Sequence, residues 1–280
     1  MAKGMSLHIG LNHVDATKYG GWDGQLAGCL NDARDMEALA RELGYSTTSL
    51  LDEKATAARV TAAVRKAAGA LEAGDIFLLT YSGHGGQVPD TNGDEARRDG
   101  YEIGEVPDAL DETWVLYDRQ LIDDELWALW AEFPARVRVA VLSDSCHSGT
   151  VSRAPQITPG GVLPPATRQM PPRVAEEDGR RRAALYRRIQ KAVPPRESSD
   201  VKASVLLISG CQDNQTSADG AGNGLFTEKL LDVWDGGKYR GSMRLLRQAV
   251  VRRMPPWQTP NYYAVGARNR AFIRQRALHI

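Results

Sequence analysis

The chain has few cysteines. Three occur in 280 residues, Cys29, Cys146 and Cys211. Their odd number and lack of short paired spacing exclude a disulfide framework and a thiolate zinc site. Excess charge is absent as well, because 35 Lys and Arg balance 35 Asp and Glu. No global field therefore argues for nucleic acid or a membrane surface as partner. No apolar run reaches the roughly 20 residues of a membrane-spanning helix. The opening Met1-Ala-Lys-Gly-Met-Ser-Leu-His8 carries no signal-peptide hydrophobic segment, since a strand begins almost at once. The expectation is a soluble, cytoplasmic protein of one or two domains.

What is present is organised around Arg136-Val-Arg-Val-Ala-Val-Leu-Ser-Asp-Ser-Cys-His-Ser-Gly149. Val137, Val139, Ala140, Val141 and Leu142 read as a strand buried on both faces, ending in small polar residues that turn the chain. A second strand, Asp75 to Tyr81, ends in the same way at Ser82-Gly-His-Gly-Gly86. In open α/β sheets chemistry sits at the carboxyl ends of strands. Two parallel neighbours would bring His84 and Cys146 together.

Further strands are expected at Ser6–Val14, Thr47–Leu51, Trp114–Tyr117, Ala203–Ser209 and Tyr262–Val265. Helices are expected at Ala33–Leu43 behind an Asn31 or Asp32 cap, Ala55–Leu71, Asp123–Phe133, Phe226–Trp234 and Met243–Met254. Strands alternating with helices predict a mostly parallel sheet covered on both faces, an α/β fold. Between Val151 and Asp200 the composition changes: eight of the fourteen prolines fall there, with the basic clusters Arg180-Arg-Arg182 and Arg187-Arg188. This stretch reads as a functional loop or disordered linker holding one basic helix, Glu176 to Ala192. The organisation expected is 1–150 with His84 and Cys146, 151–200 as linker, and 201–280 completing the sheet.

A free cysteine alone reads as readily as a buried hydrophobe. Beside a histidine it gains a base that makes it a thiolate nucleophile. Gly85 and Gly86 leave the backbone open, so the Gly85 and Cys146 N–H groups would form a two-donor oxyanion hole. His147 competes as base, but adjacent side chains on an extended segment point to opposite faces, so its role reads as structural.

These residues carry a resemblance to the metacaspases and orthocaspases, caspase-like cysteine peptidases. Tyr81-Ser-Gly-His-Gly-Gly86 is similar to the family's histidine motif and Asp144-Ser-Cys-His-Ser-Gly149 to its cysteine motif. Leu26 to Ala33 and Ser209 to Ser217 resemble two further family segments, all four in family order. The resemblance implies a caspase-like three-layer α/β/α sandwich with a sheet of roughly six strands, Cys146 as nucleophile and His84 as base. It also implies Cys29, Asp32, Ser82 and Asp144 around the pocket for the residue before the scissile bond.

Carboxylates there would pair with Arg or Lys and repel Asp. The Gln-Ala-Cys signature of enzymes that cut after Asp is missing. Protein substrates with basic residues are therefore implied, with activation by a cut in the 151–200 linker, made by the enzyme itself or by an upstream protease. A monomer is implied as well. By the same resemblance Asp111, Asp123 and Asp124 would bind calcium as an activator. A further acid is expected where Arg153 stands, and plain helix capping accounts for part of the acidic charge. The chemistry itself needs no cofactor. The alternative is a catalytically silent regulatory or scaffold protein.

Overall fold

The computed structural model describes residues 2–91, 110–145, 167–193, 201–211, 217–220 and 222–280. Along the chain, β1 (Gly4–Gly10) leads to α1 (Cys29–Glu42), β2 (Ser46–Leu51), α2 (Ala57–Ala70) and β3 (Ile76–Ser82). Next come β4 (Gly85–Pro89), β5 (Leu110–Val115), β6 (Gln120–Ile122), α3 (Asp123–Ala131) and β7 (Arg138–Asp144). Then follow α4 (Pro172–Arg181), α5 (Ala183–Ala192), β8 (Ser204–Ser209), α6 (Leu225–Trp234), α7 (Met243–Val251), β9 (Asn261–Gly266) and α8 (Arg270–Arg274).

Six strands form one sheet in the order β2-β1-β3-β7-β8-β9. The first five are parallel and β9 runs antiparallel at the edge. Continuous apolar runs in β3 and β7 are buried on both faces because helices cover both sides. Phe77, Leu79, Val139 and Val141 pack with Val60 and Val64 of α2 and Leu129 of α3. Their alternate neighbours Ile76, Leu78, Ala140 and Leu142 pack with Met36 of α1, Phe226 of α6 and Leu246 of α7. The result is a three-layer α/β/α sandwich. Its chain reverses direction across the sheet beside β1, the topological position beyond whose strand ends α/β sheets place their ligands. A separate three-stranded antiparallel sheet, β4-β5-β6, stands above that end.

Several expectations change. Asp32 does not cap α1: the helix begins at Cys29, and Gly28 precedes it without a side-chain cap. Asp32 is instead buried in the first turn, with tertiary partners described below. The strand expected at Trp114–Tyr117 lies earlier, at Leu110–Val115. The single basic helix of the linker is two helices broken at Arg182, so residues 167–193 are ordered structure. The strands β4 and β6 and the helix α8 carry no clear periodicity in the sequence.

His8, at the centre of β1, is fully buried; its Nδ1 lies 2.9 Å from Thr80 Oγ1 and its Nε2 2.9 Å from Ser6 Oγ. Burial lowers its pKa to about 4. An imidazole kept neutral when folded binds a proton on unfolding, so stability is full above pH 6.5 and falls as pH drops toward 4. Between pH 6.5 and 4.5 this amounts to about 2–3 kcal/mol. Urea unfolding at both pH values should show a smaller acid loss in a His8→Gln variant than in the wild type.

Candidate active site

The histidine motif and the end of β7 meet through sheet register. Ser82 of β3 pairs directly with Asp144 of β7, and His84 follows Ser82 by two positions. His84 is buried, and its Nε2 donates to the Gly24 carbonyl at 3.0 Å. That bond fixes the proton on Nε2 and leaves Nδ1 as the basic nitrogen; Nδ1 is buried, and the Gln169 main chain lies close enough to the ring to favour its protonated form. Trp22 lies against the ring, 4.9 Å between centroids. A side chain at Gly24, whose φ is +61°, would meet both rings. Tyr81 Oη donates to the His84 carbonyl at 2.7 Å, fixing the main chain of the turn. Burial lowers the His84 pKa to about 4, against the pull of the Gly24 carbonyl. The imidazole is neutral at pH 7, the state a general base requires.

Beside this turn lies an acidic pocket. Asp32 accepts from Ser82 Oγ at 2.6 Å and from the Gly224 N–H at 3.0 Å. Asp144 accepts from Ser217 Oγ at 2.6 Å, and from the N–H and hydroxyl of Thr227 at 3.0 and 2.8 Å. Asp219 accepts from the N–H groups of Ala27 and Gly28 at 2.6 and 3.1 Å. The Cys29 thiol is buried at the wall, and burial pushes its pKa up to about 12, so it is a neutral packing group.

The pocket is filled by Arg168, contributed by the linker and fully buried. Its Nη2 lies 2.7 Å from Asp32 and 2.9 Å from Asp219, and its Nη1 lies 3.0 Å from Asp144. Nη1 also donates to Ser82 Oγ at 2.8 Å and to the Asp144 carbonyl at 3.2 Å. Burial opposes the guanidinium charge, yet Asp144, Asp32 and Asp219 hold it well above its ordinary range. Burial, with repulsion from Asp144, raises Asp32 to about 6 although Arg168 opposes the shift. Three carboxylates around one cation explain the direction. The Arg168 carbonyl accepts from the Gly85 N–H at 3.0 Å.

Of the residues expected from sequence, Cys29, Asp32, Ser82, His84, Gly85 and Asp144 lie together at this end of the sheet. Cys146 and His147 fall outside the described residues, as does Arg153. Asp111 is buried in β5, where Gln190 of α5 donates to it, and the Asp124 N–H donates to Asp123 at the start of α3. Among the described residues, one trio has its ligand atoms within 4.8 Å of one another, the exposed or half-buried His13, Asp52 and Glu53. Asp111, Asp123 and Asp124 are not members of that trio. Asp219, Arg168 and Gly224 were not foreseen. The only sequence signal was a basic linker placed after the cysteine motif of an enzyme expected to recognise basic residues.

A doubly covered, mostly parallel sheet with its working residues beyond the central strands is the caspase-like class of α/β sandwich. The sequence comparison is specific: residues 4–272 match the caspase domain of the C14 peptidases, and the chain belongs to that family. It is 32% identical over 247 residues to Metacaspase-1 of Mycosarcoma maydis, covering 78% of this chain and 58% of the relative. It is 30% identical over 273 residues to Metacaspase-1 of Schizosaccharomyces pombe, covering 81% and 58%. The chain thus spans just over half the length of these two relatives. A crystal structure of a Geobacter sulfurreducens protein superposes with a TM-score of 0.86 at 50% identity over 99% of both chains. Caspase-1 of Spodoptera frugiperda shares the fold, with a TM-score of 0.55 at 11% identity over 99% of this chain and 92% of that one.

Proposed function

We propose that this protein is a cysteine endopeptidase that cuts polypeptides after Arg or Lys, with Cys146 as nucleophile and His84 as base, and that a cut in its linker activates it. The observation that carries this reading is Arg168: its side chain is held by Asp32, Asp144 and Asp219 while its carbonyl accepts from the Gly85 N–H. The acidic pocket pairs with a cationic side chain and repels an acidic one. The carbonyl contact is one that polarises a peptide for attack.

In this mechanism His84 Nδ1 takes the Cys146 thiol proton and the thiolate attacks the carbonyl carbon. The Gly85 N–H, with that of Cys146, stabilises the oxyanion. His84 then returns the proton to the leaving amine, and water hydrolyses the thioester. Nε2 stays bonded to Gly24 throughout, which keeps the ring from turning.

Matched fluorogenic peptides ending in Arg, Lys or Asp test the reading, on intact protein and on protein nicked briefly with trypsin. Each arm is run with calcium and with chelator, which also tests calcium as an activator. Hydrolysis after Arg and Lys, absent in Cys146→Ala, is expected. Hydrolysis after Asp alone would overturn the pocket; silence in every arm would favour a scaffold.

A further inference from the structure

Although the whole chain is balanced in charge, Gly236 to Ile280 holds ten Lys or Arg and no Asp or Glu. The fold gathers part of that charge into one trough. Between α7, β9 and α8 lies a cleft of about 610 Å³ lined by Arg244, Arg247 and Arg268. It meets a second cleft of about 570 Å³ at Ser204, Ala267 and Arg268, where Arg136, Lys202 and Arg270 extend the row. No Asp or Glu lines either cleft. Arg247 is engaged, because its Nε donates to the Pro260 carbonyl at 2.7 Å. Arg136, Lys202, Arg244, Arg268 and Arg270 are exposed and join none of the ion pairs formed among the described residues.

The floor of the trough is the edge of the main sheet. β9 ends the strand order and pairs with β8 on one side; among the described residues no strand pairs its other side. An edge of this kind presents a row of N–H and C=O groups to any extended chain, and proteins commonly blunt it with a charge or a proline. Asn261-Tyr-Tyr-Ala-Val-Gly266 contains neither. Ala264 and Gly266 are exposed, and their small side chains leave the strand uncovered. An open, uncharged strand edge thus lies beside a row of cations with no acids of its own.

We propose that β9 and this trough bind an extended, acidic segment of a partner polypeptide, added to the sheet as a strand beyond β9. Main-chain hydrogen bonds to the edge supply affinity, and carboxylates on alternate residues meet the arginines. Charge excludes a second copy from the same place. Antiparallel pairing of β9 with itself would bring Arg244, Arg268 and Arg270 of both copies toward one seam with no acid between them, and like charges across strands destabilise. A nucleic acid strand has no peptide row to match the edge. The stacking rings that single strands use are also missing here, since Tyr262 in the cleft is half-buried. Arg138 and Ser204, which line the second cleft, begin β7 and β8, so it lies at the amino ends of these strands. The acidic pocket stands at their carboxyl ends, and binding to the trough is separate from the cleavage reading above.

The test measures fluorescence anisotropy of a labelled peptide of alternating Glu and Thr against the full chain. A Gln-Thr peptide and an oligothymidylate of equal length serve as comparisons. The Glu-Thr peptide should bind saturably and more weakly as salt rises, and the Gln-Thr peptide should bind far less. Arg244→Glu combined with Arg268→Glu, its fold checked by circular dichroism, should weaken binding by at least about tenfold. Methylating the amide nitrogens along one edge of the peptide should abolish binding, while methylating the alternate set should not. Absent or unsaturable binding, indifference to the charge reversal, or equal tolerance of both methylated sets would overturn the proposal. So would tighter binding of the oligothymidylate, or a dimer in sedimentation velocity that assigns β9 to a second copy. Each of these outcomes leaves the peptidase reading standing, because none depends on hydrolysis.

Discussion

A Gly224→Ala variant is expected to keep the fold at reduced stability and to lose about a hundredfold in kcat/KM on Arg-ending peptides, with Lys-ending peptides affected less. Gly224 has φ −63° and ψ 150°, angles alanine adopts without strain, and its N–H, which donates to Asp32, is kept. A Cβ built there lies 2.4 Å from Cζ and Nη1 and 2.5 Å from Nη2 of Arg168, which are the three nearest atoms. The methyl group therefore enters the space of the guanidinium while leaving the scaffold its room. Arg168 yields because the atoms in the way are the far end of a flexible side chain.

An incoming arginine meets the same obstacle and loses geometry at Asp32, Asp144 and Asp219 together. Hydrogen bonds between charged groups contribute about 1.5–3 kcal/mol each, so losing one or two gives the stated factor. A lysine ammonium is a compact point charge that does not need the planar slot. The loss should appear mainly in KM, and the melting temperature should fall because the displaced Arg168 leaves Asp32, Asp144 and Asp219 underpaired. Equal losses on Arg and Lys peptides, or loss confined to kcat, would show that the guanidinium does not lie against Gly224 during turnover.

The contrast between Gly224 and Asp144 shows where the sequence was readable. The strands β3, β7 and β8 announced themselves because residues buried on both faces must be apolar in sequence, and the positions just beyond such strands are few. His84 followed from that placement, whereas Ser82 and Asp144 as pocket residues were implied by the family resemblance. For Asp32 the local pattern offered a helix cap and only the family resemblance offered the pocket, because its partners, Ser82 and Arg168, lie 50 and more positions away. Arg168 was invisible for a similar reason. In a basic, proline-rich stretch nothing local separates one arginine bound to three acids from others in solvent. The β4 strand, Gly85-Gly-Gln-Val-Pro89, has little intrinsic preference for extension and exists through its pairing with β5. The linker's two helices were legible only as one basic helix, because their buried faces are partly polar, with Asp178, Gly179, Tyr186 and Gln190 inside. An apolar periodicity scan does not see such a face. The direction of β9 is likewise a tertiary outcome, set by how the chain returns to the sheet edge after α7.

That polar face yields the second large effect: Asp178→Ala should undock the α4–α5 hairpin while leaving the main sheet folded. Asp178 is fully buried and accepts from Tyr186 Oη at 2.7 Å and Gln120 Nε2 at 2.9 Å. It also pairs with Arg182, one helical turn on, which spans the junction to the core through the Lys18 and Asp118 carbonyls and the Tyr19 ring. Removing the carboxylate leaves the Arg182 charge nearly buried, with the Gln120 amide and Tyr186 hydroxyl short of an acceptor. Breaking a buried pair in this way costs about 3–5 kcal/mol. The remaining apolar attraction is the cluster of Val88, Ile122, Tyr186 and Ile189, with Val174 and Ala175 of α4 at the rim of the main core. Local docking of this size does not survive such a loss, whereas the sheet's cores make no use of Asp178.

In a Cys146→Ala background, amides of residues 172–192 should exchange at least about a hundredfold faster, and trypsin should cut first at Arg180 to Arg182. The melting transition of the sheet should move little. Asp178→Asn, which keeps an acceptor for Tyr186, should fall between the two. Amides that stay protected in Asp178→Ala would mean that apolar packing holds the hairpin. The consequence reaches the site, because Met170 precedes α4 directly and its N–H is bound to Gly85. A free hairpin therefore slackens the main chain that seats Arg168 among Asp32, Asp144 and Asp219.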